Sequence, residues 1–158
     1  MNLSLPKATD HYRWADDWLT AEPLLMDKVR QIMEADQAVS ERALLVEVMR
    51  FLHLVAYHRQ TLTPSRLVDL AWHECILFTR YYAQFCDQHF GRFIHHSPGG
   101  KSSANQRNFA RTIRYYGQAW GVPPAWAWGD YAVGLYREEQ QVAADCGSCI
   151  SDPIIEAP

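Results

Sequence analysis

The chain has 158 residues, of which 48% are hydrophobic and 21% are charged. This length and composition fit one folded domain with its own core and exclude a largely disordered chain. The formal net charge of −3 argues against a histone-like protein, so we expect no nucleic-acid partner. No apolar run approaches the roughly 18 residues of a membrane span, and the N-terminus lacks a signal-peptide pattern. We therefore expect a cytoplasmic protein without a membrane partner.

Helix signals dominate the first third of the chain. The first predicted helix covers about residues 9–20. A second begins at Pro23 and runs to about residue 36, because a proline in the first turn loses no hydrogen bond. Ser40 is the predicted N-cap of a third helix that ends near residue 59, with apolar residues recurring at three- and four-residue steps.

The sharpest start signal predicts a long helix in the middle of the chain. Thr63 offers an N-cap hydroxyl, and Pro64 fits the first helical position. The helix that they open is predicted to run over residues 64–89, with Gly91 just past its end. We expect this helix to be central to the fold.

Two further helices complete the predicted domain. Ser103 and Gln106 have the spacing of a capping box and predict a helix that ends near residue 120. A last helix is predicted over about residues 130–144. No segment shows sustained period-two alternation, so we predict an all-α single domain over residues 1–145. Its architecture is expected to be a bundle of about five to six helices around the long central helix.

The remaining residues, 146–158, are predicted to form a flexible C-terminal tail. Cys146 and Cys149 in it form a CxxC pair with zinc-knuckle spacing, which is only half of a ligand set. Cys86 and His89 on the long helix could supply the other half. The alternative is a loose, redox-sensitive tail.

Glu74 lies in the middle of an apolar stripe of the predicted long helix. The stripe consists of Leu67, Leu70, Ala71, Phe78, Tyr81 and Phe85. A carboxylate among apolar side chains is costly unless it is paired, ligated or protonated. Glu74 is therefore either half of a structural ion pair or hydrogen bond, or a metal ligand or acid–base group.

A group of histidines near a carboxylate predicts a metal site. Asp69 and His73 are one helical turn apart, so the carboxylate can orient the imidazole or share a metal with it. His95 and His96 follow in the loop 91–101, and neutral imidazole is a good ligand for zinc. The loop would have to fold back along the helix to join them. The alternative for Asp69 and His73 is a solvated polar face.

The charge is unevenly distributed. No Asp or Glu occurs between Asp87 and Asp130, a stretch that carries five basic residues. Arg107, Arg111 and Arg114 of this stretch share one helix face, which would attract a small anionic ligand or an acidic protein partner. The alternative is internal, with the acidic C-terminal segment covering this face.

The pattern D-x-x-W-H at residues 69–73, followed by Gly91 and the His-His pair, resembles the domain of glycine-rich-domain-containing-like proteins of plants and bacteria. The resemblance covers about residues 64–100. Only the CxxC pair is left of the cysteine- and glycine-rich tail common in that group. The family has no established activity, so the resemblance implies which residues matter and not what they do. These residues are Asp69, Trp72, His73, His95 and His96.

Together these patterns favour a protein that binds a divalent metal, with zinc as the first choice. The predicted ligands are His73 and His95 and/or His96, assisted by Asp69 or Glu74. An open coordination position would allow hydrolysis by an activated water, with Glu74 as the base. The alternative is a non-catalytic helical protein-interaction module, in which the tryptophan and the histidines of the motif are structural.

Overall fold

The computed structural model describes residues 8–33, 39–97 and 101–145. These residues form eight helices and no strand, which confirms the all-α prediction. The helices are α1 (Ala8–Ala21), α2 (Pro23–Ile32), α3 (Glu41–His58), α4 (Arg66–Leu77), α5 (Thr79–Phe90), α6 (Ser102–Trp120), α7 (Ala125–Trp128) and α8 (Asp130–Asp145). Within this part of the chain no helix is both long and apolar enough to cross a membrane. The Cys146/Cys149 pair and the predicted tail lie outside the described residues.

Several helix boundaries follow the local signals. Pro23 lies in the first turn of α2. Ser40 caps α3, because its side-chain Oγ accepts a hydrogen bond from the backbone N–H of Ala43 at 3.2 Å. Gly91 ends α5 with a φ of 64°, a left-handed conformation that glycine adopts without steric cost.

The predicted start at Thr63 and Pro64 is wrong by two residues. Ser65 is the N-cap of α4, and its Oγ accepts from the backbone N–H of Val68 at 3.2 Å. The backbone N–H of Thr63 bonds instead to Oγ1 of Thr112 on α6, at 3.1 Å. This contact holds the residues before α4 in an extended connection.

The capping box at Ser103 is also wrong. Helix α6 begins at Ser102, so Ser103 is already helical, and the N-cap is Lys101 with no side-chain hydrogen bond. The serine–glutamine spacing therefore has no capping role here.

The long helix predicted over residues 64–89 is interrupted at Phe78. Its φ of −83° and ψ of 58° leave the helical region, and α4 and α5 lie on either side. A single helical phase therefore does not extend across residues 67–85. Five residues of the predicted stripe are nevertheless buried or packed against the core: Leu67, Ala71, Phe78, Tyr81 and Phe85. The sixth, Leu70, is 38% exposed. Glu74 lies half-buried on α4.

Two helices lie at the centre of the bundle: α3 contacts α1, α2, α4 and α6, and α4 contacts α2, α3, α5 and α7. Helix α3 is the more deeply buried of the two. Its buried side chains occur all around the helix: Leu44, Leu45, Val46, Glu47, Val48, Met49, Phe51, Leu52, His53, Leu54 and Ala56. Each fully buried large apolar side chain contributes about 1.5–3 kcal/mol relative to exposure. The buried face of α4 is Val68, Ala71, Trp72 and Cys75, which places Asp69 and His73 at the edge of the core.

Glu47 is a buried carboxylate that joins three helices. Its Oε2 accepts hydrogen bonds from the hydroxyl of Tyr116 at 2.9 Å and from Nε1 of Trp128 at 2.7 Å. Nη1 of Arg50 donates to its Oε1 at 2.7 Å. Burial raises the pKa of this carboxyl above its usual value. The network connects α3 to α6 and α7.

Two buried histidines lie where α1 meets α3. The rings of His11 and His53 are edge to face, with centroids 5.6 Å apart. Neither ring has a hydrogen-bond partner among the residues that the structure describes. Burial lowers the pKa of His11 to about 3 and that of His53 to about 4. Both rings are therefore neutral in the folded protein at ordinary pH.

Acidification is expected to destabilise the fold through these histidines. Histidine in the unfolded chain takes up a proton near pH 6.5, whereas the folded rings resist protonation. The free energy of unfolding therefore has its full value above that pH and decreases below it. Between about pH 6.5 and about pH 4, His11 alone is expected to reduce the free energy of unfolding by about 3 kcal/mol. Urea denaturation across this range measures the loss. His11→Phe should show a shallower loss, and identical pH profiles for the two proteins would contradict this origin.

Candidate metal site

Three of the predicted ligands come together. Asp69 and His73 lie one turn apart on α4, and His96 lies in the segment after α5, which folds back against α4. Each of the three offers one ligand atom, and these atoms lie within 4.8 Å of one another. The fold-back that the sequence analysis required is therefore present.

The spacing of the group is close to that of a coordination shell. Nε2 of His96 lies 3.0 Å from Oδ1 of Asp69. The two imidazole centroids are 4.2 Å apart. Two ligands at zinc-bond distances in a tetrahedral site are separated by about 3.3 Å. Small side-chain movements would bring all three residues into contact with one ion.

A backbone hydrogen bond orients His73. Its Nδ1 lies 2.7 Å from the carbonyl oxygen of Asp69. Because a carbonyl only accepts hydrogen bonds, Nδ1 carries the proton and Nε2 presents its lone pair. Histidine ligands of metals commonly have their second ring nitrogen fixed by such a bond.

Trp72 positions His96. Nε1 of Trp72 donates to the hydroxyl of Tyr82 at 3.0 Å, and this hydroxyl donates to the carbonyl of Ile94 at 2.7 Å. The Trp72 ring also meets the His96 ring edge to face, with centroids 4.7 Å apart. The relay connects α4, α5 and the following segment, so it holds His96 beside α4.

Removing the Tyr82 hydroxyl tests this relay. Tyr82→Phe leaves Nε1 of Trp72 and the carbonyl of Ile94 without their partner in a buried place, so we expect a loss of about 1–3 kcal/mol in unfolding free energy. Urea denaturation measures it. Tyr131→Phe, at a tyrosine that is 64% exposed, is the matched control and should change nothing. Equal stabilities of the two variants would contradict the relay.

The three ligand residues line one wall of a cleft of about 680 Å³. The side chain of His96 is 15% exposed, that of Asp69 33% and that of His73 44%. An ion and a small molecule can therefore reach the group from solvent.

The other predicted site residues are placed differently. His95 lines the cleft but lies outside the group of three, with its ring 4.7 Å from that of Phe93. Glu74, the predicted base, is not among the residues that line the cleft. His95 and His96 are equivalent in the sequence, because two neighbours in a loop carry no signal for which one turns toward α4.

The predicted basic face on α6 lies outside the cleft. Nη1 of Arg111 donates to the carbonyl of Thr61 at 3.1 Å, and the guanidinium of Arg114 lies over the ring of Tyr115. Burial raises the pKa of Glu139 on α8, and the charge of nearby Arg114 partly offsets this rise. An acidic residue of α8 therefore lies near Arg114.

The arginines that do line the cleft are Arg59, Arg66 and Arg92. They come from the end of α3, the start of α4 and the segment after α5. This cluster was not predicted from the sequence, because no common helix face or local spacing connects the three positions.

A comparison with protein-family models found one described as UCP032817-like, which matches residues 10–121. The match includes Asp69, His73 and His96. It overturns the resemblance to glycine-rich-domain-containing-like proteins, which depended on short motifs within a quarter of the chain. The comparisons with curated proteins and with solved structures each gave no match. The family model covers more than two thirds of the chain, and the chain therefore belongs to the UCP032817-like family, an uncharacterised family.

Proposed function

We propose that this protein binds one divalent transition-metal ion, with zinc as the first choice, through Asp69, His73 and His96. The observation that carries the proposal is the convergence of their ligand atoms within 4.8 Å. Two imidazoles and one carboxylate are a donor set that zinc accepts in catalytic sites. The hydrogen bond from Nδ1 of His73 to the Asp69 carbonyl supports it, since it leaves Nε2 ready to bind.

The site would leave a coordination position open toward the cleft. Three protein ligands are one fewer than a closed structural zinc site uses. A water in the fourth position would have a lowered pKa and could act as a nucleophile, so the proposed chemistry is hydrolysis. Glu74 has no part in this proposal, because it does not line the cleft.

Metal analysis of protein purified without an affinity tag tests the proposal. After dialysis against zinc and removal of free metal, we expect one zinc per chain by elemental analysis and a single binding step by calorimetry. Protein that retains no zinc and gives no binding heat would contradict the proposal.

The interaction-module alternative has its own support. The Asp69–His96 contact and the Trp72–Tyr82–Ile94 relay could fix the segment after α5 without any metal. The thermal midpoint separates the two functions. A ligand present at 100 times its dissociation constant stabilises the folded state by about 2.7 kcal/mol, so a chelator should lower the melting temperature of a zinc protein. An unchanged melting temperature would favour the structural role.

A further inference from the structure

The cleft beside the proposed metal site is basic. Arg59, Arg66 and Arg92 line it and are exposed, and none of them pairs with a carboxylate in the described part of the chain. The carboxylate that lines the cleft is Asp69, whose charge a bound metal would neutralise. Three arginines therefore contribute positive charge to the lining of the cleft.

Arg59 occupies an unusual backbone position. It is the C-cap of α3 with a φ of 51°, and among the described residues it is the one non-glycine residue with a positive φ. Glycine is the usual residue at such a cap. A long cationic side chain stands here instead, at the edge of the cleft, which favours a role for its charge.

Arg92 covers the C-terminal end of α3, whose negative dipole would repel an anion. Its Nη2 donates to the carbonyls of Val55 and Ala56, at 2.9 and 3.1 Å. These carbonyls belong to the last turn of α3, where the helix dipole is negative. With this end covered by a guanidinium, the field in the cleft stays favourable to negative charge.

The cleft also has an apolar part. Phe51, Val55, Leu62 and Trp72 contribute to its lining. Its volume of about 680 Å³ lies within the range of small-molecule sites. A ligand that fits this lining has an anionic end and an apolar or aromatic organic part.

We infer that the ligand is the phosphate ester of a small organic molecule. This inference rests on the proposed metal site, because the phosphate would lie between the arginines and the metal. A phosphate offers more acceptor oxygens than a carboxylate, so it can bond several guanidinium groups and the metal together. The organic group would pack against the apolar part of the cleft.

Calorimetry with phenyl phosphate as the probe tests this inference on the full chain. Zinc is titrated first, and phenyl phosphate is then titrated into the zinc-loaded protein, with benzoate as the carboxylate comparison at equal ionic strength. The test variant is Arg59→Asn/Arg66→Gln, since asparagine tolerates the left-handed backbone. The matched control is Arg107→Gln, which removes an exposed arginine of α6 outside the cleft.

We expect the double variant to bind phenyl phosphate about tenfold or more weakly, while it binds zinc as the unaltered protein does. The control should bind both ligands normally, and benzoate should bind more weakly than phenyl phosphate. The inference would be overturned if the zinc-loaded protein did not bind phenyl phosphate, or if the double variant bound it as tightly as the unaltered protein. It would also be overturned if Arg107→Gln alone weakened phenyl phosphate binding. Absence of zinc binding in the first titration would overturn the proposed function, and this inference with it.

Discussion

His96→Ala is expected to weaken zinc binding by about 100-fold or more, whereas His95→Ala leaves the affinity within about twofold. The two histidines are neighbours in the chain, but Nε2 of His96 lies 3.0 Å from the Asp69 carboxylate, while the His95 ring packs on Phe93. Competition with a chromophoric chelator measures both affinities under one set of conditions.

The two variants differ in which histidine is removed and are otherwise closely matched. Both remove one imidazole from the same segment, so net charge and loop composition change equally. Circular dichroism should show the same helix content for both. Equal losses of zinc affinity, or a larger loss for His95→Ala, would contradict the assignment of His96.

The second large effect concerns stability. Glu47→Ala is expected to lower the free energy of unfolding by about 3–5 kcal/mol, because it unpairs the half-buried Arg50 guanidinium and leaves two buried donors without their carboxylate acceptor. Arg50, Tyr116 and Trp128 all bond to this carboxylate, and they lie on three different helices. Urea denaturation of the purified variants measures the loss.

Glu138→Ala is the matched control, since Glu138 is exposed on α8 and its removal should change stability by less than about 0.5 kcal/mol. Glu47→Gln keeps an oxygen acceptor and should lose less than Glu47→Ala. If both Glu47 variants unfolded at the urea concentration of the unaltered protein, the network would have no stabilising role.

Local signals predicted the helices well where nothing distant competes with them. Ser40 and the apolar spacing after it predicted a helix over about 40–59, and α3 is Glu41–His58. The interruption at Phe78 has no such signal, because residues 66–90 contain neither proline nor glycine. The central position expected for one long helix is shared by α3 and α4, each of which contacts four other helices. The position of a helix within the bundle depends on tertiary contacts, which the hydrophobic periodicity of a single helix does not predict.

The candidate site was predictable as far as helical spacing reaches. The proximity of Asp69 and His73 was predicted from their separation of one helical turn. The selection of His96 over His95 depends on the relay from Tyr82 to Ile94, a contact between segments that the sequence does not connect. The cleft arginines were missed for the same reason, whereas the regularly spaced arginines of α6 were noticed and lie elsewhere.

The most direct test of the account is a crystal structure of zinc-soaked protein with anomalous data collected at the zinc edge. We predict one strong anomalous peak at about 2.0–2.2 Å from a carboxylate oxygen of Asp69 and from one nitrogen each of His73 and His96. No peak at this position, with His96 still hydrogen-bonded to Asp69, would contradict it.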